Sequence, residues 1–198
     1  MIEQLESRLS RGAPIGLDGV IARTDSYAND GFHHSHDNIR MAGHGPGRAR
    51  VPPHAGLVPT TEVSFEQLAA ADASHFGARR DGSLQQWITR PGSVALASVD
   101  AGDLAGFAVR RPCVVGHKIG PLFARSPDTA AALLAGLRQE LAEGEAFVLD
   151  VPECNPQTVA LAQANDMTEV FRCTRMYRGE PPAIAWNQIY GVTTFELG

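Results

Sequence analysis

The sequence has no apolar run approaching the roughly 20 residues that cross a bilayer, no cysteine pair at CxxC spacing and no block of lysine and arginine. Each absence closes a class of protein. Without a long apolar run there is no membrane-spanning helix to expect. The acidic start Met1-Ile2-Glu3-Gln4-Leu5-Glu6 resembles neither a secretory signal nor an Arg-rich transit peptide, so a cytoplasmic setting is expected. The three cysteines, Cys113, Cys154 and Cys173, are odd in number and far apart, which fits free thiols in a reducing compartment better than a disulfide frame. No Cys-His signature marks any of them as a nucleophile. Residues 1–54 carry six basic and six acidic groups, so the whole net charge of −5 arises beyond residue 54. With no basic face, and only two Trp and three Tyr for stacking, nothing marks a nucleic-acid partner.

What is present reads as an ordinary globular chain. Its 198 residues, 43% apolar, suffice for one well-buried core or for one core and part of another. Ile2, Leu5 and Leu9 fall at helical spacing before Gly12. Ile15–Ile21 reads as a strand, a short helix follows around Tyr27, and Gly31-Phe32 opens another extended run. Gly, Pro and Arg then crowd residues 42–59 without periodicity, which marks a linker. The boundaries expected are therefore 1–45, a linker at 46–60, and a second domain over 61–198.

In the second domain Ser64 and Gln67 form a capping pattern for a helix through Phe65 and Leu68, and another helix covers Leu84–Ile88 before Pro91. Ser93–Ser98 and Leu104–Val109 make a hairpin across Asp100-Ala101-Gly102-Asp103, with a third strand at about Val114–Phe123. Ser126-Pro127-Asp128 starts a helix whose apolar stripe is Leu133, Leu134, Leu137 and Leu141. Ala146–Val151 is a nearly continuous apolar strand, Asn155-Pro156 caps another helix, and Thr168–Tyr177 and Ile189–Leu197 are extended.

Two stretches repeat one order of features. Gly16-Leu17-Asp18-Gly19-Val20, Tyr27, Gly31-Phe32 and Arg40-Met41 are answered by Val148-Leu149-Asp150-Val151-Pro152, Ala162, Asp166-Met167 and Arg175-Met176. Together with Lys118-Ile119-Gly120-Pro121-Leu122-Phe123-Ala124, Asn155-Pro156 and the closing Arg175-Met176-Tyr177-Arg178-Gly179, these motifs resemble the GNAT N-acetyltransferase superfamily. The likeness is to the subgroup with two tandem repeats: residues 1–45 resemble the end of a first repeat and about 60–198 a whole second one.

The resemblance implies an α+β fold, a mixed, mostly antiparallel twisted sheet flanked by helices, preceded here by part of a first repeat. It also implies acetyl-CoA as co-substrate and a primary amine, small molecule or peptide, as acceptor. The cofactor arm of such proteins lies between two splayed central strands, which makes Leu122, Phe123, Asp150 and Asn155 the cofactor-binding candidates. Asn155 reads first as a helix cap, and Asp150 also as a structural residue matched by Asp18. The family's phosphate-binding loop is missing at Ala124-Arg125-Ser126-Pro127-Asp128, where Pro127 has no N–H and Asp128 would repel phosphate. In the first repeat that loop would precede Met1.

Tyr27, in the family's Tyr-x-x-x-Gly-Phe spacing, is the candidate acid for the departing thiolate; the alternative is a tyrosine that only packs at a helix end. His33, His34 and His36 lie on one strand, with His34 and His36 expected to share a face. No cysteine or paired acid accompanies them, so no metal site is assigned. Two functions follow: an N-acetyltransferase whose phosphate loop lies upstream, or a non-catalytic GNAT-like module that binds a ligand or partner through a degenerate second cleft. Residues 1–45 cannot enclose a core alone; the second domain or a second copy of the chain, as a homodimer, can cover their strand edges.

Overall fold

A computed structural model describes residues 9–10, 12–46 and 56–195. The helix expected over Ile2–Leu9, save Leu9 itself, and most of the expected linker lie outside them. The strands are β1 (Ile15–Val20), β2 (His33–His44), β3 (Leu57–Pro59), β4 (Val94–Asp100), β5 (Asp103–Pro112), β6 (His117–Ala124), β7 (Ala146–Pro152), β8 (Thr168–Arg178) and β9 (Ile189–Gly191). The helices are α1 (Thr24–Asn29), α2 (Phe65–Phe76), α3 (Asp81–Thr89), α4 (Pro127–Arg138) and α5 (Pro156–Gln163). The fold is a mixed α+β sheet, mostly antiparallel, flanked by helices, as expected.

Local chemistry sets the helix ends. The Ser64 hydroxyl accepts from the Gln67 amide and Ser126 from that of Thr129, satisfying N–H groups that the first turn leaves free. Pro127 and Pro156 stand in first turns, where a missing N–H costs nothing. The α4 stripe buries Leu133, Leu134 and Leu137 with Leu122, Phe147 and Leu149 in the main core. A second cluster joins Leu68, Leu84, Phe107 and Phe123 under α2 and α3.

The strand order is β1-β8-β2-β7-β6-β5-β4-β3, with β9 attached to β6. Strands from both sides of the expected boundary thus share one sheet, and β2 lies between β7 and β8. The two repeated stretches flank the β2–β8 pair with reciprocal pairing. Asp18 faces Arg175 just as Asp150 faces Arg40, and Leu17 faces Met176 just as Leu149 faces Met41. Register shifts skip Ser35 on β2 and Val170 on β8, at corresponding places. The Phe32 amide donates to the Tyr27 carbonyl at 3.0 Å and the Met167 amide to the Ala162 carbonyl at 3.1 Å. Gly31 and Asp166, one residue earlier in each stretch, both have positive φ.

Candidate active site

β6 and β7 run parallel only where His117–Ile119 meet Phe147–Leu149, and then part. The chain's own segment 186–193 fills the opening. Leu122 pairs with Gly191 and Phe123 with Ile189, so β9 takes the edge of β6 that β7 has left. On the other side the Val192 amide donates to the Asp150 carbonyl at 2.9 Å, Asn155 Nδ2 to the Ile189 carbonyl at 3.0 Å, and Thr158 Oγ1 to the Tyr190 carbonyl at 2.6 Å. Tyr190 is fully buried in the cluster that contains Ala162, and its hydroxyl donates to Gln157 at 2.7 Å.

Leu122, Phe123, Asp150 and Asn155 therefore converge on one gap, and what they hold there is the polypeptide itself. Asn155 serves as cap as well, its Oδ1 accepting from the Gln157 amide at 3.2 Å. The fit leaves no slack at Gly120, where a Cβ would come within 2.4 Å of the Val192 carbonyl oxygen. Because that neighbour is backbone, Gly120→Ala is expected to cost about 1–3 kcal/mol in urea unfolding. At the start of α4, Ser126 as cap, Pro127 and Asp128 leave a poor anion site.

A belt of buried charge crosses the sheet face beneath this segment. Arg40 grips Asp150 through Nε at 2.7 Å and Nη2 at 2.9 Å, and the Lys118 ammonium bonds the same carboxylate. Arg175 Nη1 and Asn38 Nδ2 both donate to Asp18 at 2.7 Å. Burial pushes the Asp18 carboxyl above its ordinary range, against the pull of Arg175 and Asn38. Sequence reading matched Asp18 with Asp150 and Arg40-Met41 with Arg175-Met176, but not the exchange of partners; both signals stood in the repeat. Cys173 lies on the same belt, and burial raises its thiol to about 12, which suits a packing residue rather than a nucleophile.

The histidines do not share a face. The shift at Ser35 turns His34 toward Asp37, 3.2 Å away, while His36 is buried edge-on against Trp186. Among the described residues no three metal-binding groups converge. Burial lowers the His36 pKa to about 4, with the Arg175 cation adding to the effect. The unfolded chain, with an ordinary histidine near 6.5, then binds more protons than the folded one between those values, so stability present at neutral pH is lost as pH falls. From pH 7 to 4.5 this group is expected to remove about 2 kcal/mol. Unfolding free energies from urea titrations of wild type and His36→Gln should diverge by that amount on going from pH 4.5 to 7.

Tyr27 stands at the other end of the reciprocal pattern. It lies on α1, half-buried, against Gly19 of β1, where a Cβ would come within 2.4 Å of its ring. β1 pairs with β8 on one side, and no described strand pairs with its other edge. This edge corresponds to the side of β7 on which segment 186–193 lies.

A family model described as an acetyltransferase (GNAT) domain matches residues 68–191. The uncharacterised N-acetyltransferase YitH of Bacillus subtilis is 34% identical over 83 residues, a match that spans 42% of this chain and 29% of that protein. Among solved structures, a candidate acetyltransferase of Pyrococcus horikoshii superposes over 100% of this chain and 63% of its own length, with a TM-score of 0.81 at 23% identity. A GCN5-related N-acetyltransferase of Sphaerobacter thermophilus matches over 92% of this chain and 65% of its own, with a TM-score of 0.60 at 15% identity. The family model covers well over half of the sequence, and the chain belongs to the GNAT acetyltransferase family.

Proposed function

We propose that the chain is part of an acetyl-CoA-dependent N-acetyltransferase acting on a primary amine. In this reading residues 1–45 end a first repeat, residues from about 60 form a second, and transfer occurs at the free edge of β1 beside Tyr27. The observation that carries it is the reciprocal pairing of Asp18 with Arg175 and Asp150 with Arg40, which makes β1 the counterpart of β7. In the second copy the place beside β7 is filled by segment 186–193, and Ala162 stands where Tyr27 does. Non-catalytic behaviour, the rival reading of the whole chain, is on this account a property of its second copy.

The chemistry asked of the site is acyl transfer. The amine attacks the thioester carbonyl, the C–N bond forms as the C–S bond breaks, the thiolate takes a proton from the Tyr27 hydroxyl, and the amine gives one up to solvent, which returns a proton to Tyr27. The phosphate-binding loop lies in this reading outside the 198 residues; the chain spans 29% of the Bacillus subtilis protein and 63% of the Pyrococcus horikoshii one. A cytoplasmic setting accords with the free thiols. Upstream residues cover the edge of β1; a homodimer is the alternative cover, and sedimentation of the longer protein separates the two.

Calorimetric titration tests the assignment. The protein carrying the upstream repeat should bind one acetyl-CoA per chain and acetylate an amine. Two acetyl-CoA per chain, or binding without turnover of any amine, would contradict it.

A further inference from the structure

Gly19 carries Tyr27 on one face of β1, and strand alternation turns Gly16 and Asp18 to the other. On that second face a cavity of about 660 Å³ opens. Its floor is flat because Gly16 has no side chain: a Cβ there would come within 2.8 Å of Arg175 Nη2 and 2.9 Å of Tyr177 Cε1. Its walls come from beyond the expected boundary, and include Phe76 and Ala78 at the end of α2, Pro182, and Phe195 after β9. Among the described residues of this lining only Asp18 and Arg175 bring charge, and they are bonded to each other at 2.7 Å with the Asp18 side chain wholly buried.

We propose that this cavity holds the acceptor, and that the acceptor is a primary amine on an uncharged aromatic or alicyclic body. The inference rests on the placement of transfer at β1. The volume lies within the ordinary small-ligand range of about 300–1,000 Å³. Phe76, Tyr177 and Phe195 make the lining aromatic, and Gly16, Leu17 and Asp18 put β1 itself in it. Arg175 gives Nη1 to Asp18, and the pair leaves the described lining without net charge to draw in an acceptor carboxylate. Asp18 is likewise committed, so a second ammonium finds no free anion. The net charge of −5 would otherwise favour a polycation; the cavity argues for a different acceptor from the one net charge suggests. The second copy thereby gains a role of its own, as the wall of the first copy's acceptor site.

The test uses the 198-residue chain, ¹⁵N-labelled, titrated with 2-phenylethylamine and separately with spermidine, without acetyl-CoA. Saturable shifts are expected at the amides of Gly16–Asp18, Gly77–Ala78 and Arg175–Tyr177, with phenylethylamine at least about tenfold tighter than spermidine. Ala78 is exposed at the mouth, so Ala78→Trp should keep the fold and weaken phenylethylamine binding by about tenfold or more. Absence of saturable shifts at these amides, equal or tighter binding of spermidine, or an Ala78→Trp protein that binds as well as wild type would overturn the proposal. Transfer at β1 is judged separately. Turnover of spermidine but not phenylethylamine by the longer protein sinks this inference alone, whereas phenylethylamine binding in a protein that acetylates nothing sinks the transferase reading alone.

Discussion

Tyr27→Phe is expected to lower the turnover of amine by the longer protein about 10²–10⁴-fold while leaving the KM for acetyl-CoA nearly unchanged. The substitution keeps the ring that packs on Gly19 and removes only the hydroxyl, so a loss confined to kcat identifies proton donation rather than packing. Gly19→Ala supplies the converse. Its Cβ would meet the Tyr27 ring at 2.4 Å and displace it, so kcat should fall even though the hydroxyl is intact. Steady-state rates for the two variants, with melting temperatures to exclude unfolding, settle the role. A Tyr27→Phe enzyme with wild-type kcat would show that the tyrosine only packs.

Asp150→Ala should be the most damaging single change to folding, at about 3–5 kcal/mol. The carboxylate is wholly buried and shared by Arg40 and Lys118, and the Lys118 side chain is 4% exposed. Removing the acid leaves the ammonium in a dry site with its counter-charge gone, which costs more than the ion pair contributed. Lys118→Met in the same background should recover much of the loss, since it removes the stranded charge and keeps the volume. Urea denaturation of both proteins measures it; a double variant no more stable than Asp150→Ala would place the cost elsewhere. Lys118 and Asp150 are also the end of a row that begins at Asp18, so Asp18→Ala should act in the same direction through Arg175.

Much of this architecture was legible from local chemistry. Caps such as Ser64 and Ser126 and the first-turn prolines fixed helix starts, whereas the Leu133–Leu141 stripe overran the helix end, since Leu141 lies three residues past Arg138. The hairpin at Asp100–Asp103 followed from its turn, where Ala101 and Gly102 both have positive φ. The repeated Leu-Asp and Arg-Met pairs revealed the matched stretches, because reciprocal ion pairs require the same residues twice.

Tertiary relations were not legible. Spacing 42–59 by composition hid the fact that β2 runs to His44 and lies between β7 and β8, since strand order depends on pairings remote in sequence. The run Ile189-Tyr190-Gly191-Val192 read as a strand, but nothing local said that it fills the gap at Leu122, Phe123, Asp150 and Asn155. The signal was indirect: Gly120 is small where it meets the Val192 backbone, Gly191 where the Leu149 side chain lies against it, and Ala162 belongs to the cluster that takes Tyr190. Likewise a single bulge at Ser35 separated His34 from His36, a one-residue slip that alternation cannot anticipate.

The most direct measurement is hydrogen exchange at the Val192 amide, which donates to the Asp150 carbonyl at 2.9 Å inside the β6–β7 gap. If the chain itself is the permanent occupant of that gap, the amide stays as protected in excess acetyl-CoA as without it, and Gly120→Ala alone accelerates its exchange. Loss of protection at Val192 on adding acetyl-CoA would show the segment giving way to the co-substrate, and would return the second copy to the role of a working acetyltransferase site.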